Sequence, residues 1–127
     1  MKTTILSLLL LFSMASFAQT ETSIPDKTDV GIEAYYFHFT QRCATCKAVE
    51  SVSTEALKTL NIELKSLNID EDENMEIAKK VGAGGQALIL SNGIKSIDLT
   101  NDGFMYARSN PDKLKAKLLK AVQELEE

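Results

Sequence analysis

The sequence predicts an α/β domain in which a central mixed sheet of about four strands is flanked by helices. Three observations lead there. Residues 32–39 (Ile-Glu-Ala-Tyr-Tyr-Phe-His-Phe) are mostly apolar and aromatic over the length of one strand and lack strict alternation, as a strand buried on both faces does. Strand-length apolar segments then alternate with segments whose apolar residues recur at helical spacing, a pattern that lays helices over a sheet. Asn92-Gly93 separates two further apolar segments, a hairpin signal that brings an antiparallel pair into the sheet.

The elements follow in order along the chain. After the strand at 32–39, Thr40-Gln41-Arg42 form a loop. From Cys43 onward, Cys46, Val49, Val52, Ala56, Leu57 and Leu60 mark one face of a helix, which puts Cys43 at its N-terminus. Ile62, Leu64, Leu67 and Ile69 mark a second strand. The carboxylates of Asp70-Glu71-Asp72-Glu73 suit the positive end of a helix over 72–81, whose narrow stripe is Met75, Ala78 and Val81. Gly82-Ala83-Gly84-Gly85 stops that helix and lets the backbone turn tightly. A third strand covers 87–90 and a fourth covers 94–99, with Asn101-Asp102-Gly103 reading as another turn. Asn110 as cap, Pro111 at the first helical position and Asp112 behind it open a last helix with Leu114, Leu118, Val122 and Leu125 on its buried face. Strand–helix–strand connections produce parallel neighbours, and the hairpin adds an antiparallel edge. Tyr35, Tyr36, Phe37 and Phe39 are assigned to the core.

The chain has 127 residues, 44% of them hydrophobic, which suits one domain of ordinary size. With 14 Lys plus Arg against 18 Asp plus Glu it carries a net charge of −4, and no basic patch suggests a nucleic-acid partner. The acidic run at 70–73 lacks the glycine and the terminal Glu spacing of an EF-hand calcium loop. Lys2, the apolar run at 5–12 and the small-x-small triplet Ser16-Phe17-Ala18 have the order of a secretory signal peptide. Cleavage is expected after Ala18, giving an exported protein, periplasmic or secreted, with no integral membrane span in what remains. Residues 19–31, rich in Thr, Ser, Asp and Glu with Pro25 among them, read as a flexible leader, and 32–127 as the folded domain.

Export permits structural disulfides, yet the chain holds 2 cysteines, Cys43 and Cys46. Closing so small a loop removes little unfolded-state entropy, so the pair points to redox or metal chemistry rather than to stapling the fold. At a helix N-terminus, unpaired backbone N–H groups and the helix dipole stabilise a thiolate, which makes Cys43 the candidate nucleophile. Arg42 adds a positive charge beside it. Cys46, three residues on and turned toward the helix interior, is placed to resolve a mixed disulfide.

Arg42-Cys43-Ala44-Thr45-Cys46-Lys47 after an aromatic strand resembles the active-site loop of the thioredoxin superfamily. Leu67-Asn68-Ile69-Asp70, then Ala78-Lys79-Lys80-Val81-Gly82, then an apolar strand ending at Asn92-Gly93, are similar to its central region, and the likeness runs over residues 34–126. Residues 35–47 and the segment Asn101-Asp102-Gly103-Phe104-Met105-Tyr106-Ala107-Arg108 also resemble small exported thioredoxin-like proteins known as a nitrophenyl-compound nitroreductase subunit, the ArsF family. The resemblance implies a thioredoxin-like fold and a Cys43–Cys46 pair that exchanges with thiols and disulfides of proteins or small molecules, with no cofactor or resident metal. The family's cis-proline, which faces the disulfide, falls on Gly85, so Gly85 and the adjacent Gln86 join Arg42 as candidate binding residues. The family's buried acid falls on Phe37 and its lysine partner on Ser66, and Ala44 and Thr45 stand where Gly and Pro separate the family's cysteines. His38 is the 1 histidine of the chain. It precedes Cys43 on the first strand and is kept as a secondary site residue, with a core or hydrogen-bonding role expected.

Two other readings stand beside this one. Cys43-Ala44-Thr45-Cys46 followed by Val49-Glu50 and a leucine-bearing helix also resembles the copper-chaperone loop, in which two thiolates clasp Cu(I), and the same pair suits other soft ions such as arsenite. The helix at 72–81 and Gln41, where the chaperones carry methionine, separate the two patterns. Glycine at 85 leaves the sulfurs open to a thiophilic ion, with a ligand from a second chain completing the site. The third reading is a noncatalytic thioredoxin-fold subunit of a reductase system.

Overall fold

The computed structural model describes residues 31–127; the expected signal peptide, the cleavage point at Ala18 and residues 19–30 of the leader lie outside the described residues. The chain runs β1 (Glu33–His38), α1 (Ala44–Lys58), β2 (Leu64–Asn68), α2 (Asp72–Lys80), β3 (Ala87–Ser91), β4 (Ser96–Asp98), α3 (Thr100–Tyr106) and α4 (Pro111–Glu126). The strands form one sheet in the order β2-β1-β3-β4. β1 pairs parallel with β2, in a register that sets Tyr36 opposite Ser66, and antiparallel with β3, with Tyr36 opposite Leu88. This is a mixed α/β sheet flanked by helices, the thioredoxin-like class expected from the sequence. Among the described residues no helix is long and apolar enough to cross a membrane.

The two-residue period of the strands divides the core between the faces of the sheet. Ala34 and Tyr36 of β1 and Leu88 and Leu90 of β3 pack with Val49 and Leu57 of α1 and with Leu114, Leu118 and Leu125 of α4. Tyr35 and Phe37, with Ala87 and Ile89, point to the opposite face, where Ile69, Ala78 and Ala83 cover them. β1 is therefore an inner strand, apolar on both faces, as its run of apolar and aromatic side chains predicts. α4 begins as its sequence dictates, with the Asn110 side chain accepting the Lys113 N–H at 3.2 Å and Pro111 in the first turn.

Several expectations are corrected. β3 runs antiparallel to β1, although a helix precedes it, because the short α2 and the turn at 82–85, with Gly82 at φ 84°, return the chain beside β1 on the side away from β2. The β3–β4 connection is centred on Gly93-Ile94 rather than Asn92-Gly93. Gly93 takes φ 85°, and the Asn92 carboxamide oxygen accepts the N–H groups of Ile94 and Lys95 at 3.0 and 2.7 Å. Leu60 falls beyond the end of α1 and is exposed, since Asn61 at φ 57° ends the helix. Phe39 is also exposed rather than in the core, because it lies past the last residue of β1.

Asn101-Asp102-Gly103 is not a turn but part of α3. The Asp98 carboxylate accepts both the N–H and the hydroxyl of Thr100, at 2.8 and 2.5 Å, and so ties down the start of that helix. The Thr100 hydroxyl in turn accepts the Leu88 N–H at 3.0 Å, fixing α3 to β3. Gly103 is there for close packing: a Cβ at this position would lie 3.2 Å from Val49 Cγ1 and 3.5 Å from Leu88 Cδ2.

Candidate functional site

The loop between β1 and α1 is held at both ends. On the β1 side, the Asp70 carboxylate accepts from the Thr40 N–H and hydroxyl at 2.8 and 2.7 Å, and Asn68 donates to the Thr40 hydroxyl at 3.0 Å. The two hydrogen bonds from Thr40 hold the Asp70 carboxyl below its ordinary value. On the α1 side, Cys43 is the N-cap residue, with extended backbone at φ −78° and ψ 166°. Its sulfur accepts the Cys46 N–H at 3.1 Å and occupies the place of a capping oxygen.

Cys43 and Cys46 are joined as a disulfide, with their Cα atoms 5.1 Å apart. The two sulfurs belong to unequal environments. Cys43 is exposed at the end of the helix, whereas Cys46 is 5% exposed and faces the interior. One face of the disulfide is thus presented to solvent and the other is enclosed by protein, as the spacing and the helix start predict.

Gln86, immediately before β3, reaches the enclosed face. Its Nε2 donates to Cys46 Sγ at 3.0 Å and to the Tyr36 hydroxyl at 3.2 Å. Tyr36 is fully buried, and burial pushes its phenol above the ordinary value even though the hydrogen bond from Gln86 and the charge of Arg42 work in the other direction. Gly85 is next to this contact but leaves open space: an added Cβ would meet nothing within 4 Å.

Arg42 is near the pair in sequence, but its guanidinium is committed elsewhere. It pairs with Glu50 and lies 5.9 Å from the centre of the Tyr36 ring. Burial works against the Glu50 carboxylate, yet hydrogen bonds from Ser66 and Arg42 and the charge of Arg42 more than offset it and hold Glu50 below its ordinary value. The positive charge expected beside Cys43 is therefore largely balanced by Glu50. His38 is half-buried; its Nδ1 donates to the Phe39 carbonyl at 2.9 Å and its ring sits 6.0 Å from that of Tyr36. It belongs to the hydrogen-bonded residues of the strand end. Among the described residues no group of three or more His, Cys, Asp or Glu side chains is placed to hold a metal ion.

The structure thus gathers Cys43, Cys46 and Gln86 into one contact set and places Arg42 and His38 around Tyr36 behind it. Two contributors went unseen in the sequence. Tyr36 reads there as core alone, and nothing in the pattern of an apolar strand reveals that its hydroxyl anchors Gln86. Glu50 carried a usable signal, since its spacing of four from Cys46 puts both on one helical face. Set against known protein families, curated proteins and solved structures, the chain matches none.

Proposed function

We propose that this protein is a thiol–disulfide oxidoreductase, or the redox partner of one, that cycles between a Cys43/Cys46 dithiol and the Cys43–Cys46 disulfide. One observation carries the reading: the disulfide lies at the N-terminus of α1 with one sulfur exposed and the other buried. In the reductive direction the Cys43 thiolate attacks a substrate disulfide, forms a mixed disulfide and expels the first substrate thiolate. Cys46 then attacks Cys43 Sγ and expels the second, so that two electrons leave the pair and reduce the substrate. The oxidative direction is the same sequence reversed. Helix N–H groups and the dipole favour the thiolate on Cys43, the sulfur a substrate can reach.

The resemblance of residues 34–126 to the thioredoxin superfamily supports this chemistry, and the secretory pattern at 1–18 supports an oxidising compartment in which such a pair would work. Protein or small-molecule disulfides are the proposed partners. Thiol trapping of the purified protein tests the reading. Alkylation is expected at both cysteines after reduction and at neither after treatment with glutathione disulfide, with glutathione released. Two thiols that both stay free under that oxidant would overturn it.

A further inference from the structure

We infer that Gln86 is a further catalytic residue of this exchange: its side-chain N–H stabilises the Cys46 thiolate at the step that resolves the mixed disulfide. The inference rests on the oxidoreductase reading above. It begins from geometry, with Gln86 Nε2 3.0 Å from Cys46 Sγ and 3.2 Å from the Tyr36 oxygen. A carboxamide nitrogen carries two N–H groups, and here one goes to each partner, so the carboxamide oxygen is turned away from the sulfur. The buried Tyr36 hydroxyl holds the carboxamide in place beside the sulfur, and the sulfur of the disulfide, which can only accept, faces the nitrogen.

Cys46 needs such a donor. Burial disfavours its ionised form, and Arg42, the cation expected beside the pair, is itself paired with Glu50. A neutral N–H stabilises an anion without introducing a charge of its own. Divalent sulfur is a weak acceptor, so this hydrogen bond contributes little while the disulfide is intact; toward a thiolate it is charge-assisted and much stronger. The stabilisation is therefore differential, greatest when Cys46 carries negative charge, which is the condition for speeding a step rather than merely binding its ground state. In that step the Cys46 thiol gives its proton to water. Its thiolate then forms a bond to Cys43 Sγ, the bond from Cys43 to the substrate sulfur breaks, and the substrate leaves as a thiolate. The oxidant is the substrate disulfide itself.

The test uses dithiobis-nitrobenzoate as the disulfide, at one equivalent per protein so that a second nitrothiobenzoate can come only from resolution, and stopped-flow absorbance as the readout, on full-length reduced protein. Attack by Cys43 releases a first equivalent of nitrothiobenzoate, and resolution by Cys46 releases a second. In Gln86→Leu the first phase is expected to match wild type, since the hydrogen bond that is lost goes to Cys46 and not to the attacking sulfur. The second is expected to slow about threefold, a tenfold loss of thiolate fraction being partly offset by the greater nucleophilicity of a more basic sulfur. Gln86→Glu keeps the shape of the side chain but replaces the donor with a negative oxygen, so its second phase should slow further; this variant decides the matter if the leucine variant does not fold. A second phase equal to wild type in the folded variants, or equal slowing of both phases, overturns the assignment. Release of fewer than two equivalents by wild-type protein overturns the oxidoreductase reading instead, so the two failures are distinct.

Discussion

Cys43 and Cys46 are chemically identical side chains made unequal by their positions, the first exposed at the helix cap and the second 5% exposed behind it. Reactivity toward an alkylating agent depends on the thiolate fraction and on access, and both favour Cys43. At neutral pH the Cys46→Ser protein, which retains Cys43, is therefore expected to alkylate at least about tenfold faster than the Cys43→Ser protein. Timed trapping with iodoacetamide followed by mass measurement checks this, and the opposite order would assign the nucleophile to Cys46. At this scale the sequence was informative about the cysteines, because a C-x-x-C pair at the start of a helical pattern fixes which sulfur caps the helix. It was less informative about what surrounds them. Arg42 reads as a free charge beside Cys43 until the fold brings Glu50 against it, and Gln86 is separated from Cys46 by 40 positions, a contact that only the pairing of β1 with β3 creates.

Among the elements, α3 shows why a local signal can mislead. Asn, Asp and Gly in succession favour turns through side-chain to backbone hydrogen bonds and permissive φ, yet here they continue a helix. Tertiary contacts decide the matter: Asp98 and Thr100 fasten the start of α3 to β3, and Gly103 lets it approach Val49 of α1. Gly103 thus sits on α3 where it meets β3 and α1, the helix that carries Cys46. A branched side chain there has no room, so Gly103→Val is expected to destabilise the protein by about 2 kcal/mol through overpacking. Urea unfolding followed by circular dichroism measures it. Retention of wild-type stability would mean that Val49 and Leu88 yield more readily than their packing indicates. The strands and the long helices α1 and α4 were easier to read, because an apolar stripe of three or more turns, or an unbroken apolar run, is matched by one burial pattern.

For the whole molecule, the division of labour is between a core that spans the sheet and a disulfide that does not. The cysteines lie 3 positions apart, so their bond constrains only one turn of the unfolded chain. The loop-entropy relation then assigns it about 2 kcal/mol at most, well below the gain from a bridge between distant segments. By contrast Leu118 is fully buried among α1, α4 and the sheet, and removing its side chain opens a cavity at the centre of the larger core. Leu118→Ala is expected to cost about 2–5 kcal/mol. Reduction of the wild-type protein should therefore lower its urea midpoint by less than Leu118→Ala does in the oxidised protein, with the slope of the transition unchanged because the same surface is exposed on unfolding. Parallel titrations with and without dithiothreitol make the comparison. A reduced protein that lost its cooperative transition would show that the pair holds the fold together. A small shift instead means that either redox state presents the same scaffold to a partner, as a reversible carrier of two electrons requires.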